Sequence, residues 1–287
     1  MDVAVIGAGR LGTAVASALG AAGHRVVGVS GRDATPERAE RHLPGVPVVD
    51  PTAAAGAAEV VVVSTPDDAI RSTVGALAAA AALRPAAWVV HLSGALRLDV
   101  LDAALAAGAR RLAIHPLQTF PDVGSALRRL PGSAIAVTAD DAEGDAMGQQ
   151  LARDLGGEPF RLPDERRPLY HAAAVFASNH LVTSSAIAKG LFAAAGVPDP
   201  AAAVAPLQRA SLENVERMGA EAALTGPVVR GDAGTLRLNL EALKQEAPEL
   251  IAAYVAMARV ALDVADRAGR LPSGARAAVE DVLTEWT

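Results

Sequence analysis

Six histidines, two tyrosines and no cysteine leave this 287-residue chain few side chains able to handle a proton at neutral pH. Their spacing sorts them. His171 and Asn179 stand eight residues apart, two turns of a helix, so they share a face with Val175, and Ser178 lies close beside it. An imidazole titrates near neutrality and a carboxamide both donates and accepts, which makes His171 a candidate proton donor, Asn179 a candidate orienter and Ser178 a substrate contact. A histidine that only packs its helix, satisfied by backbone or a carboxylate, fits the same spacing. His115 precedes Pro116 at the end of an apolar run, where it serves either a site or a buried structural hydrogen bond. His91 and Ser93 close a neighbouring run. Two strand-end histidines begin a metal site, but no third ligand stands at a suitable spacing, so no metal is expected. Arg230 and Asp232 lie in the turn-rich segment Thr225–Asp232. Arg230 suits a bidentate grip on a substrate carboxylate, with Asp232 beside it; the alternative is a pair that caps the next helix, for which Asp232 is a good N-cap. His24 and His42 read as surface residues.

These groups need a scaffold, and the first half of the chain supplies its pattern. Val3–Ile6, Val26–Val29, Val46–Val49, Val60–Val63, Trp88–Val90, Leu112–Ile114 and Ala134–Val137 are short apolar runs separated by alanine-rich helical stretches, the signature of a parallel sheet with crossover helices. The first run leads into Gly7-Ala8-Gly9-Arg10-Leu11-Gly12. Gly7 permits a tight turn, Gly9 a close approach to pyrophosphate, and Gly12 close packing of helix on strand, so a dinucleotide is expected on these six residues. Strand carboxyl ends form the ligand rim of such sheets, which adds Ser64, Thr65, Pro66 and Ser93 to the cofactor set. After the second strand come Ser30, Gly31 and Arg32. A hydroxyl and a guanidinium suit a ribose 2′-phosphate, so NADP (NADPH) is expected over NAD, against the counter-signal of Asp33, an acid at the usual NAD spacing.

The second half is helical. Pro168–Ala195 reads as one long helix closed by Gly196-Val197-Pro198, followed by helices near 200–220, 233–246, 248–268 and 274–285. The expected division is a Rossmann domain over 1–163 and an all-helical substrate and dimerisation domain over 164–287. A net charge of −6 argues against a general nucleic-acid or anionic-membrane partner. Apolar runs such as Val74–Leu83 fall far short of the roughly 18 residues of a membrane span. With no cysteine and no cationic leader, a soluble cytoplasmic protein is expected.

Longer motifs carry a resemblance. Val63-Ser64-Thr65-Pro66-Asp67-Asp68-Ala69-Ile70, His91-Leu92-Ser93-Gly94, His115-Pro116-Leu117-Gln118-Thr119-Phe120, Tyr170–Asn179 and Thr225–Asp232 together resemble the bacterial Rossmann-like proteins with a C-terminal domain of unknown function numbered 2520 (DUF2520). Where that family often shows a histidine before the leucine beyond its Gly-Asp motif, this chain has Asn239-Leu240. The family is similar in architecture to ketopantoate reductases, pyrroline-5-carboxylate reductases and deazaflavin-linked NADP reductases. The resemblance implies an NAD(P)-dependent oxidoreductase, and gene neighbourhood in the family tilts the substrate toward a ketopantoate-like 2-oxo acid. Ketopantoate reductases place a lysine and an asparagine on the corresponding helix; here the only lysine on it is Lys189, ten residues beyond Asn179. The expected function is therefore NADPH-dependent reduction of a small 2-oxo or imino acid, in a cleft between the sheet rim and the long helix where the domains meet. A homodimer through the helical domain is expected. The alternatives are a non-catalytic dinucleotide sensor that binds a partner, and a deazaflavin-linked NADP reductase.

Overall fold

The computed structural model describes residues 1–287. Seven strands form one sheet: β1 (Asp2–Ile6), β2 (Arg25–Ser30), β3 (Val60–Val63), β4 (Trp88–His91), β5 (Arg110–Pro116), β6 (Ala134–Ala139) and β7 (Glu158–Arg161), in the order β2-β1-β3-β4-β5-β6-β7. The run Val60–Val63 is buried at every position, as a parallel strand covered on both faces must be. Alternate residues feed two cores. Val3, Val5, Val60, Val62 and Val90 point to one face, where α1 (Arg10–Ala21) and α7 (Ala142–Asp154) lay down Val15, Leu19, Leu151 and Leu155. Ala4, Ile6, Val61, Val63 and Val89 point to the other. There α3 (Pro51–Ala57), α4 (Asp67–Ala79) and α5 (Asp102–Ala106) supply Ala54, Ile70, Val74, Leu77 and Ala104.

Two strand expectations change. Val46–Val49 is no strand: Val48 makes one parallel bridge to Val29, because Pro47 lacks a backbone donor and its run is short. The sheet is also not parallel throughout. β6 runs antiparallel to β5, with Ile114 opposite Val137, and β7 is parallel to β6. The chain between β5 and β6 carries only the short α6 (Val123–Arg129), which packs Val123, Ala126 and Leu130 against Ala14 of α1.

Beyond the sheet the chain is helical: α8 (Arg167–Ala174), a π-helical turn (Val175–Asn179), α9 (His180–Ala194), α10 (Pro200–Met218), α11 (Ala220–Ala223), α12 (Pro227–Arg230), α13 (Ala233–Glu246), α14 (Ile251–Arg267) and α15 (Ala275–Thr284). α9 ends as the sequence implies, with Gly196 at φ 82° just past it. Two compact units result, Met1–His180 and Leu181–Thr287, so the first unit keeps α8 and the π turn that follows the expected boundary at 163. The second has its own core, in which α12–α15 bury Val228, Leu236, Leu240, Val255, Leu262, Val279 and Leu283. α9 has no buried residue and α10 only Val204, although Val182 and Leu207 are apolar. No helix is long and apolar enough to cross a membrane.

Candidate functional site

Strand order reverses between β1 and β3, the point at which open α/β sheets bind ligands at strand carboxyl ends. A crevice of about 680 Å³ opens there, lined by Gly7, Ala8 and Gly9, by Ser30, Gly31 and Arg32, and by Ser64, Thr65 and Pro66. The three glycines divide the work. Gly7 has φ +93° and a Cβ on it would meet the Ser64–Thr65 backbone at 2.7 Å; a Cβ on Gly12 would meet the Gly7 carbonyl oxygen at 2.5 Å. A Cβ on Gly9 would meet nothing nearer than 4.0 Å, so no protein contact demands its bareness. Two further features point to a ligand. α1 starts at Gly9 with no side-chain cap and no acid in its first turn, which leaves the free N–H groups of Arg10, Leu11 and Gly12 facing an anion site. Thr65 Oγ1 is buried without a hydrogen-bond partner in the crevice wall. These residues fit a dinucleotide pyrophosphate.

At the adenosine end the structure adds Thr35 and Arg38, both lining the crevice; Arg38 Nη1 donates to the Ala8 carbonyl at 2.7 Å. Neither carried a sequence signal, because both lie in α2 (Thr35–His42), a polar helix. Asp33 does not line the crevice. Nor does Ser93. Its hydroxyl donates to Asp67 Oδ2 at 2.7 Å and accepts from the Ala95 and Leu96 backbones, so Ser93 ties the β4 loop to α4 and is not free for a cofactor.

Two strands along the same edge, a second cavity of about 390 Å³ lies between the end of β5 and the helix that begins at Arg167. His115, Tyr170, His171, Ser178 and Asn179 all line it, so four sequence-selected residues converge. The π turn inserts an extra residue's worth of rotation between His171 and Asn179, which no residue type in Val175–Asn179 announces. His115 Nδ1 lies 2.8 Å from the Tyr170 hydroxyl. The His115 and His171 rings stand nearly perpendicular with centroids 6.4 Å apart. Gly94 sits between them. A Cβ there would lie 2.8 Å from His115 Nε2 and 2.9 Å from His171 Nδ1, and that Nδ1 is buried without a partner.

Beneath the histidines is a residue that no sequence motif singled out. Arg167 is fully buried, and its guanidinium donates to the Leu96 carbonyl (2.5 Å), to Thr138 Oγ1 (2.9 Å) and to the Ser93 carbonyl, with no carboxylate among these acceptors. Burial pulls Arg167 down to about 10, opposed by Asp164, Tyr170 and Asp67. Burial and then the Arg167 charge push His115 down to about 4, with His171 adding to the effect. His91 fares the same way, pushed to about 3 by burial, Arg167 and His115 against a smaller opposing pull from the Arg97 backbone. Burial pushes Tyr170 up to about 12 while Arg167 pulls the other way. At neutral pH the cavity therefore presents a neutral His115 imidazole held by a neutral phenol.

Arg230 and Asp232 belong to the second unit. Asp232 accepts from Thr235 N at 3.0 Å and caps α13, and Arg230 lies exposed, 3.9 Å from its carboxylate. The capping alternative is what the structure holds, and Arg230 still has solvent-facing donors.

Residues 1–116 match the Rossmann-like domain model, and residues 133–261 match the domain of unknown function DUF2520. The chain thus joins a Rossmann-like N-terminal domain to a DUF2520 C-terminal domain. A candidate NADP oxidoreductase from Bacteroides fragilis shares the fold at a TM-score of 0.76, with 24% identity over 91% of this chain and 98% of that one. The imine reductase of Myxococcus stipitatus, solved with NADP+, superposes at 0.65 with 16% identity over 100% and 99% of the two chains. These likenesses are of fold. In sequence, glycerol-3-phosphate dehydrogenase [NAD(P)+] from Thiobacillus denitrificans is 33% identical over 179 residues, 56% of this chain, and the chain spans about half (52%) of that relative's length.

Proposed function

We propose that the protein is an NADP(H)-dependent oxidoreductase that reduces a small 2-oxo or imino acid in the His115–His171 cavity. The observation that carries this reading is the placement of that cavity on the same strand-carboxyl edge as the glycine crevice, two strands from β3. When bound, the dinucleotide supplies a hydride. Gly7–Gly12 and Thr65 hold its pyrophosphate, and Ser30, Arg32 and Arg38 its adenosine end, where two guanidinium groups suit a 2′-phosphate and the lining acid, Asp50, is engaged in capping α3 through Thr52. His115 and His171 polarise the reacting bond, and Asn179 and Ser178 orient the substrate. The relatives described as binding NADP or NAD(P) support this reading.

Calorimetric titration should find NADPH tighter than NADH, with Arg32→Ala costing NADPH roughly tenfold and NADH little; equal affinities in the unmutated protein would remove the NADP preference. NADPH oxidation with a panel of 2-oxo and imino acids tests the reaction class. Homodimerisation through the helical unit belongs to the same reading and is supported by the apolar α9, which buries no residue of its own. Sedimentation at micromolar concentration reads it out, a monomer counting against it.

A further inference from the structure

We propose that Tyr170 is the proton source of the reaction, that His115 relays its proton to a substrate carbonyl oxygen, and that Arg167 is the buried positioning charge that makes this route the favoured one. The proposal rests on the oxidoreductase reading and narrows its substrate class to a carbonyl. Three geometric facts support it. The Tyr170 hydroxyl and His115 Nδ1 are in hydrogen-bond contact at 2.8 Å. The opposite ring nitrogen, Nε2, is turned toward the space over Gly94 that it shares with His171 Nδ1. Arg167 lies in the wall behind, held by Ser93, Leu96 and Thr138.

With Tyr170 donating to Nδ1, the neutral ring carries its hydrogen on Nε2 and points it at the cavity. As the hydride's electron pair enters the carbonyl carbon, the C=O π pair becomes an oxygen lone pair, which takes the Nε2 proton. The Tyr170 O–H bond breaks as Nδ1 takes its proton, so the ring ends neutral and the charge ends on the phenolate, which recovers a proton from water. A hydroxy-acid alkoxide is a stronger base than a phenolate, so the transfer runs downhill. Arg167 decides between two possible ions: a fixed cation in the wall opposes an imidazolium on His115 and favours a phenolate on Tyr170. The other groups facing His115 do not reverse this. His91 is neutral, His171 adds no negative charge, and Asp67 and Asp164 face Arg167. An iminium arrives already carrying its proton and needs no relay, which is why the arrangement selects a carbonyl.

Two experiments test it. The first reads charge without turnover: imidazole NMR titration of the full chain should show His115 neutral down to about pH 4, and Arg167→Gln should raise that midpoint by about one pH unit or more. Arg167→Lys, which keeps the charge, should leave it low and covers the case in which Arg167→Gln does not fold. An unchanged His115 midpoint in Arg167→Gln, or a midpoint near the ordinary value in the unmutated protein or in Arg167→Lys, overturns the electrostatic role. The second is Tyr170→Phe, expected to lower kcat on a 2-oxo acid by about a hundredfold with NADPH affinity unchanged. Full turnover in Tyr170→Phe, or an unmutated protein that reduces only cyclic imines, overturns the relay. Failure to bind NADPH overturns the oxidoreductase reading, and the relay with it, and is distinguished from both by the titration.

Discussion

Gly94→Ala should leave a folded protein that binds NADPH normally and turns over about a hundredfold more slowly. The added Cβ would sit 2.8 Å from His115 Nε2 and 2.9 Å from His171 Nδ1, closer than such contacts occur. The His115 ring cannot yield cheaply, since it is pinned by Tyr170 on its far nitrogen, and the His171 ring can give way only by turning from the cavity. The rings therefore shift by a fraction of an ångström to an ångström, and misplacement on that scale costs about a hundredfold when it falls on the reacting groups. Cofactor binding is spared because Gly94 does not line the glycine crevice. The informative comparison is kcat against NADPH affinity in the same variant. A Gly94→Ala enzyme with wild-type kcat would show that the two nitrogens do not face the reacting atom, whereas loss of NADPH binding would mean that the change propagates to the crevice.

How much of this was legible in the chain depends on what each residue answers to. The valine runs at β1, β3 and β4 announce themselves because a strand buried on both faces needs apolar residues without a break, and His115 follows from the rule that ligands sit at strand carboxyl ends. Direction is another matter. Alternation is the same in a parallel and an antiparallel strand, so Ala134–Ala139 gave no sign that β6 would reverse, and Glu158–Arg161 is too short and polar to read as an edge strand. Arg167 was hidden for a deeper reason. Its burial is set by acceptors at Ser93, Leu96 and Thr138, residues tens of positions away that meet only once the sheet and α8 are assembled. Tyr170 was visible as one member of a motif, but its role depends on a single contact with His115. The Asp232 cap, by contrast, is local and was readable as one of two alternatives.

The second large effect is on stability and depends on pH. His91→Leu should lose much of the acid sensitivity of the fold. His91 is completely buried with neither ring nitrogen satisfied, and its imidazole is pushed to about 3 in the folded chain against about 6.5 unfolded. The folded state therefore binds fewer protons than the unfolded state between those values. Above about pH 6.5 the group costs nothing in proton uptake. As the pH falls, the unfolded chain gains a proton that the folded chain refuses, and stability declines by about 1.4 kcal/mol per unit until about pH 3. Leucine removes that term and gives up only the weak contact with the Arg97 backbone, so the replacement is close to neutral at pH 7. Urea unfolding at pH 7 should thus find the two proteins within about 1 kcal/mol of each other. At pH 4.5 the variant should be ahead by roughly 2–3 kcal/mol. The decline that remains in His91→Leu belongs in part to His115, whose folded value of about 4 acts in the same direction over a narrower window. Parallel stability curves for the two proteins would mean that water or an acceptor reaches the His91 N–H groups in the folded state, and that the charge laid under the cavity by Arg167 is weaker than its burial implies.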